Sequence, residues 1–174
     1  PLRLAIGTAI ADLGRRAGNA VAALGTLDQI AQAQRARTDR DLPATLLAYA
    51  RAARATDDDN DAQHALQEAT STLLSQGRGA HPVAREIELE WADLAHDNRR
   101  EAARHLARAA AIACVNFGCD DARVQALQRR ALELEPEHAT PTAPLEVPGN
   151  ELYAIAKDIV SKAQAASSAP AAAP

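Results

Sequence analysis

The spacing Ala-x-x-x-Leu-x-x-Ala occurs at Ala62, Leu66 and Ala69, and again at Ala102, Leu106 and Ala109. A looser version, Ala20, Leu24 and Leu27, precedes the first by a similar interval. Steps of four and three residues return to the same side of an α-helix. Each instance predicts a helix with small residues and Leu on its inner face. The small residues let a second helix come close, and the Leu fills the space beside them. Recurrence over a few tens of residues is the sequence signature of stacked helical hairpins.

Composition agrees with this reading. Ala fills 44 of the 174 positions, while aromatics supply only 2%. Ala is the strongest helix former, and strands draw on β-branched and aromatic residues. A β-sandwich, a barrel or a Rossmann-type sheet is therefore excluded, and the fold class expected is all-α. The net charge of −4 gives no basic coat for nucleic acid and no polybasic membrane anchor. Seventeen of the 19 basic residues are Arg, and heavy Ala and Arg use is common in GC-rich bacterial genomes. No run of 18 apolar residues occurs, so no membrane span is expected.

Helical periodicity and turn signals divide the chain. Residues 2–36 read as helix with a seam of small residues: Gly7, Ala11, Gly14, Gly18, Ala22 and Gly25. Gly costs about 1 kcal/mol against Ala inside a helix. Two readings follow, a pair of helices broken near Gly14–Gly18 or one long helix whose Gly face packs on a partner. Further helices are expected over 43–56, 60–76, 83–96, 100–115 and 120–134. Pro43 suits a first helical turn, and Asp57–Asp61 complement the dipole of the helix they precede. The domain expected is 1–138, with hairpins over 43–138. Four prolines between Pro136 and Pro148 mark a linker, 139–149. An amphipathic helix over 150–166 follows, with Leu152, Ile155 and Ile159 on one face. The tail 167–174 is low-complexity.

The stretch Ala131-Leu-Glu-Leu-Glu-Pro-Glu-His138 resembles the close of a tetratricopeptide repeat, where small-Leu-x-Leu-x-Pro ends the second helix. Ala62, Ala69, Ala102 and Ala109 are similar to the small packing residues of that family. The resemblance covers about residues 43–138, with a period near 40 where the family has 34. Glu90 and Asp93 stand near the places of the family's Leu-Gly and Tyr. The resemblance implies a superhelix of antiparallel hairpins that binds protein or peptide on a concave surface.

Candidate contact residues come from exposed patterns. Arg100, Arg104 and Arg108 share one helix face at steps of four, and their guanidiniums suit carboxylates and phosphates. They serve either as a solvated face paired with Asp97 or Glu101, or as a stripe for a partner. Trp91, Leu152, Ile155 and Ile159 complete the partner-binding set, and Gly7, Gly14, Gly18 and Gly25 the packing seam. The five His are scattered, so no metal site and no cofactor is expected. No Gly-rich phosphate loop and no nucleophile elbow is present. Cys114 and Cys119 read as free, largely buried thiols of a reducing cytoplasm, or as a disulfide across a helix turn.

The function expected is a non-catalytic interaction module, an adaptor, assembly factor or chaperone-like scaffold, with a protein partner and no nucleic acid. The alternative is a structural subunit of a larger assembly, held by the N-terminal small-residue seam.

Overall fold

The computed structural model describes residue 14 and residues 18–135. Six helices lie within 18–135: α1 (Ala20–Arg35), α2 (Leu42–Arg54), α3 (Asp59–Ser75), α4 (Pro82–Leu94), α5 (Arg99–Phe117) and α6 (Ala122–Leu134). Among the described residues there is no strand. Each helix packs on its neighbours in sequence, and α2 also reaches α4. The class is all-α, and the five helices expected after residue 42 begin within two residues of their sequence-based limits.

Local chemistry sets those limits. Side-chain oxygens of Asn19, Asp58 and Asn98 accept from the backbone N–H three residues on, opening α1, α3 and α5. His81 and Asp121 cap α4 and α6 through the N–H two residues on. Pro43 and Pro82 lie in first turns, where a missing N–H costs nothing. The ends of α1, α2 and α3 also repeat one geometry. Thr38, Asp57 and Gly77 have φ of 51°, 58° and 66°. The N–H of the next residue then bonds back to Gln34, Ala53 and Leu73 at 3.0, 3.0 and 2.8 Å.

The element bounds carry a period. The helices α2, α4 and α6 each have 13 residues and begin at 42, 82 and 122. Their partners α3 and α5 begin at 59 and 99. Both sets therefore keep one and the same interval, that of the Ala-Leu-Ala spacing in the sequence.

The core follows the same spacing. Ala62, Leu66, Ala69 and Leu73 are buried on α3, and Ala102, Leu106, Ala109 and Ala113 on α5. On α1 the buried set is Ala23, Leu27, Ile30 and Gln34. The looser sequence match at Ala20, Leu24 and Leu27 is thus out of register by three residues. The cap explains the difference: Asn19 stands four residues before Ala23, as Asp58 stands before Ala62 and Asn98 before Ala102. Gln34 takes the place of Leu73 and Ala113, and its Oε1 has no hydrogen-bond partner among the described residues.

The Gly seam does not run as one helix. Gly14 is helical, but Gly18 has φ +84° and precedes the Asn19 cap, so α1 starts anew after Gly18. A Cβ at Gly14, Gly18 or Gly25 would meet nothing within 4 Å. No close backbone compensates these glycines among the described residues. Gly7 lies outside the described residues.

At the α5–α6 turn, Cys114 and Cys119 form a disulfide with Cα atoms 4.2 Å apart. Of the readings open from sequence, the structure adopts the local bridge. Gly118, at φ +90°, reverses the chain and returns Cys119 towards the last turn of α5.

Close approach at fully buried Ala makes a sharp expectation. Ala69→Leu and Ala109→Leu should each destabilise by about 1–3 kcal/mol through overpacking, read from the denaturant midpoint. A midpoint equal to wild type would show that these helices are not in tight contact.

Candidate functional site

The densest group of charges among the described residues joins α2, α4 and α6. Arg51 and Arg54 are one turn apart on α2, so they project along one face. Glu86, Glu90 and Asp93 do the same on α4. Arg51 Nε donates to Glu90 Oε1 at 2.5 Å and its Nη2 to Glu86 Oε2 at 3.1 Å. Arg54 Nη1 donates to Glu90 Oε2 at 2.6 Å and lies 3.8 Å from Asp93. Arg130 of α6 donates to Asp93 at 3.4 Å, and Arg85 to Glu86.

Glu90 is only 8% exposed, so its charge needs partners. Both its oxygens have a guanidinium. Burial pulls the Arg51 pKa down, but the bonds to Glu90 and Glu86 outweigh it and the net shift is upward. Burial pushes Glu86 up, and its bonds to Arg85 and Arg51 reverse this to leave it below the usual carboxylate range. A network in which each of these charges is paired positions helices. The three carboxylates come from α4 and the guanidiniums chiefly from α2 and α6.

Two smaller polar groups lie nearby in the fold. His105 of α5 faces Glu88 of α4, Nδ1 to Oε2 at 2.7 Å, and its ring stacks on Trp91 at 5.7 Å between centroids. A carboxylate only accepts, so Nδ1 carries the proton. A cleft of about 180 Å³ lies between α1, α2 and α3, lined by Asp28, Arg35, Tyr49, Asp61, His64 and Glu68 among others. There Arg35 holds Glu68 through two bonds of 2.6 Å, and the Tyr49 hydroxyl donates to Asp61 at 3.1 Å. Burial and then the Asp61 hydrogen bond raise the Tyr49 pKa.

The residues proposed from sequence fall in different places. Arg100 is exposed and lies 3.7 Å from Glu135, not from Asp97 or Glu101. Arg104 is exposed and Arg108 half-buried, and no ion pair joins either to another described residue. Trp91 is half-buried on the far side of α4 from the Arg54–Asp93 contact, packed against the core and His105. Leu152, Ile155 and Ile159 lie outside the described residues. Of the described contact residues proposed from sequence, Arg100, Arg104 and Arg108 share a face of α5 and Trp91 lies on α4. Sequence reading missed the Arg–Glu network. Its signal was available: Ala50, Glu90 and Arg130 follow at equal intervals on α2, α4 and α6, and two of those three carry charge.

Among the described residues no group of His, Cys, Asp and Glu is spaced to hold a metal ion, and no helix is long and apolar enough to cross a membrane. No protein-family model matches the chain, and no curated protein matches it.

Two outcomes test this geometry. Glu90→Ala should cost about 2–3 kcal/mol in unfolding free energy, less than the 3–5 kcal/mol of a fully buried pair because both Arg keep some exposure. A loss below about 0.5 kcal/mol would mark the network as a surface feature. His81 gives the second. Its pKa is lowered, by burial and then by Arg78 and Arg40. Above about 6.5 the ring is neutral in both states; below that the unfolded state binds the proton more readily, so stability drops as the pH drops. His81→Asn keeps a cap and removes the titration. Its melting temperature should therefore fall less than wild type between pH 7.5 and 5.5, as followed by circular dichroism.

Proposed function

We propose that this chain is a non-catalytic protein-binding module built from helical hairpins of about 40 residues, similar in kind to a tetratricopeptide array. One observation carries the reading: helix starts, the Asn19, Asp58 and Asn98 caps and the buried quartets recur at about that interval. A unit whose helices touch mainly their neighbours cannot close into a sphere. It leaves an extended surface, which is what such arrays use for binding. The charges between α2, α4 and α6 are paired internally, which favours the outer face of α5 as the contact surface. Arg104 and Arg108 stand there without an ion pair to any described residue, and Arg100 and the Trp91 helix flank them. A partner rich in carboxylates fits that stripe.

An adaptor or assembly role is the setting we propose. The Cys114–Cys119 disulfide favours an oxidising compartment over the reducing cytoplasm expected from sequence, since a bridge persists in the first and is lost in the second. The second reading, a structural subunit held through the N-terminal segment, has its own observation. Val21 is 73% exposed on α1, and a Cβ at Gly25 would meet nothing within 4 Å, so no other described residue packs closely on this face.

The decisive experiment identifies what co-purifies from native extract at low salt and measures its affinity for the purified chain. Arg104→Glu with Arg108→Glu should weaken that affinity about tenfold or more, or about 1.4 kcal/mol. The melting temperature should stay at the wild-type value. Unchanged affinity would remove the stripe from the interface, and recovery of no protein partner would overturn the reading. For the second reading, light scattering of the protein alone decides, since a monomer with no partner in extract sinks it.

A further inference from the structure

We propose that the cleft between α1, α2 and α3 receives a lysine side chain of the protein partner, an inference that rests on the protein-binding function. The floor of the cleft is apolar: Ala31, Leu46 and Ala65, one from each helix, are all buried. Size limits the occupant. At about 180 Å³ the cleft is smaller than the pockets of about 300–1,000 Å³ that enclose whole small molecules. It has room for the end of one side chain with an aliphatic stem.

Charge decides which side chain. The lining carries the carboxylates of Asp28, Asp61 and Glu68 and the guanidinium of Arg35. Arg35 is fully engaged by Glu68, on both of its oxygens. Asp28 and Asp61 have no ion pair with any described residue. Asp28 accepts from Gln32 through Oδ2 at 2.8 Å, and Asp61 from the Tyr49 hydroxyl through Oδ2 at 3.1 Å. Oδ1 of each carboxylate is left without a described donor. The Tyr49 hydroxyl gives its proton to Asp61, so its own oxygen is left to accept. Around Tyr49 the unmet groups are therefore all acceptors. Their field is felt there: burial is first in raising the Tyr49 pKa, then the Asp61 hydrogen bond, and the charges of Asp61, Asp28 and Asp58 add to it. An ammonium offers three donors and no acceptor, which matches these three oxygens. The stem of a lysine lies along apolar surface while its head stays with the charges. A guanidinium instead seeks both oxygens of one carboxylate, and only Glu68 is presented that way, already held by Arg35.

Amide shifts in ¹H–¹⁵N NMR of the purified full chain test this without any partner, so its failure and a failure to find a partner are separate results. The probes are acetyl-Ala-Lys-Ala-amide, the same peptide with norleucine or arginine in place of lysine, and n-butylamine. The lysine peptide should shift amides in 28–35, 46–49 and 61–68 saturably, and the norleucine peptide should not. Asp28→Asn with Asp61→Asn, which keeps size and removes both charges, should weaken the lysine peptide about tenfold or more. Asp97→Asn, at the exposed α4–α5 turn, should leave its affinity at the wild-type value. The peptide comparison uses the wild-type chain alone, so it stands whether or not the double variant folds. An equal response to the norleucine peptide would overturn the proposal, as would unchanged affinity in the double variant or an arginine peptide that binds as tightly. Butylamine that binds tenfold more tightly than the lysine peptide would overturn it too, since a free amine would then be the occupant.

Discussion

Close approach of helix backbones over Ala is the contact on which this fold rests. Ala62, Ala69, Ala109 and Ala113 are fully buried, as are Ala50, Ala52 and Ala53 on α2. An Ala side chain removes little apolar area from water, at about 25 cal/mol per Å². It also loses no side-chain entropy on burial. Each contact is therefore weak but carries almost no ordering cost. Stability accumulates over many helix–helix contacts, with Leu27, Leu66, Leu73, Ile87 and Leu106 as the larger anchors.

A core of small residues has a weakness, because Ala against Ala permits sliding. The polar network between α2, α4 and α6 removes that freedom. Glu90 receives one guanidinium on each oxygen, so a shift of α2 along α4 by one residue would break both bonds. Buried ion pairs often add little net stability, and fixing register is their best-attested use. The Cys114–Cys119 disulfide plays a related part at the other end, where α6 has one buried side chain to hold it.

Much of this fold was legible in the chain because its determinants are local. Asp58, Asn98, Pro43, Pro82 and Gly118 act within a few residues, so helix limits followed from sequence. The buried quartets on α3 and α5 followed from helical steps alone. The register of α1 did not, because Leu24 and Leu27 both fit the looser pattern and only the Asn19 cap separates them. The Arg51–Glu90 network was not legible either. Its two residues lie on different helices far apart in the chain, and a charged residue on a helix reads as solvent-facing until its neighbour is known. Glu90 carried the clue, as a charge at the position that Ala50 buries. The Arg100–Arg108 stripe was visible as a face of α5, while its freedom from ion pairs at Arg104 and Arg108 needed the surrounding helices.

Packing chiefly between neighbours in sequence also has a mechanical side. In a globular core, tension on the chain ends loads many contacts at once, and the domain gives way in one step. Here tension would load one helix boundary at a time. The described helices would peel in order from α6 and from α1, and each could rewind once the load fell. The α2–α4 ion pairs would be the stiffest joint on that path. Such a molecule is closer to a short spring with a reinforced middle than to a rigid block.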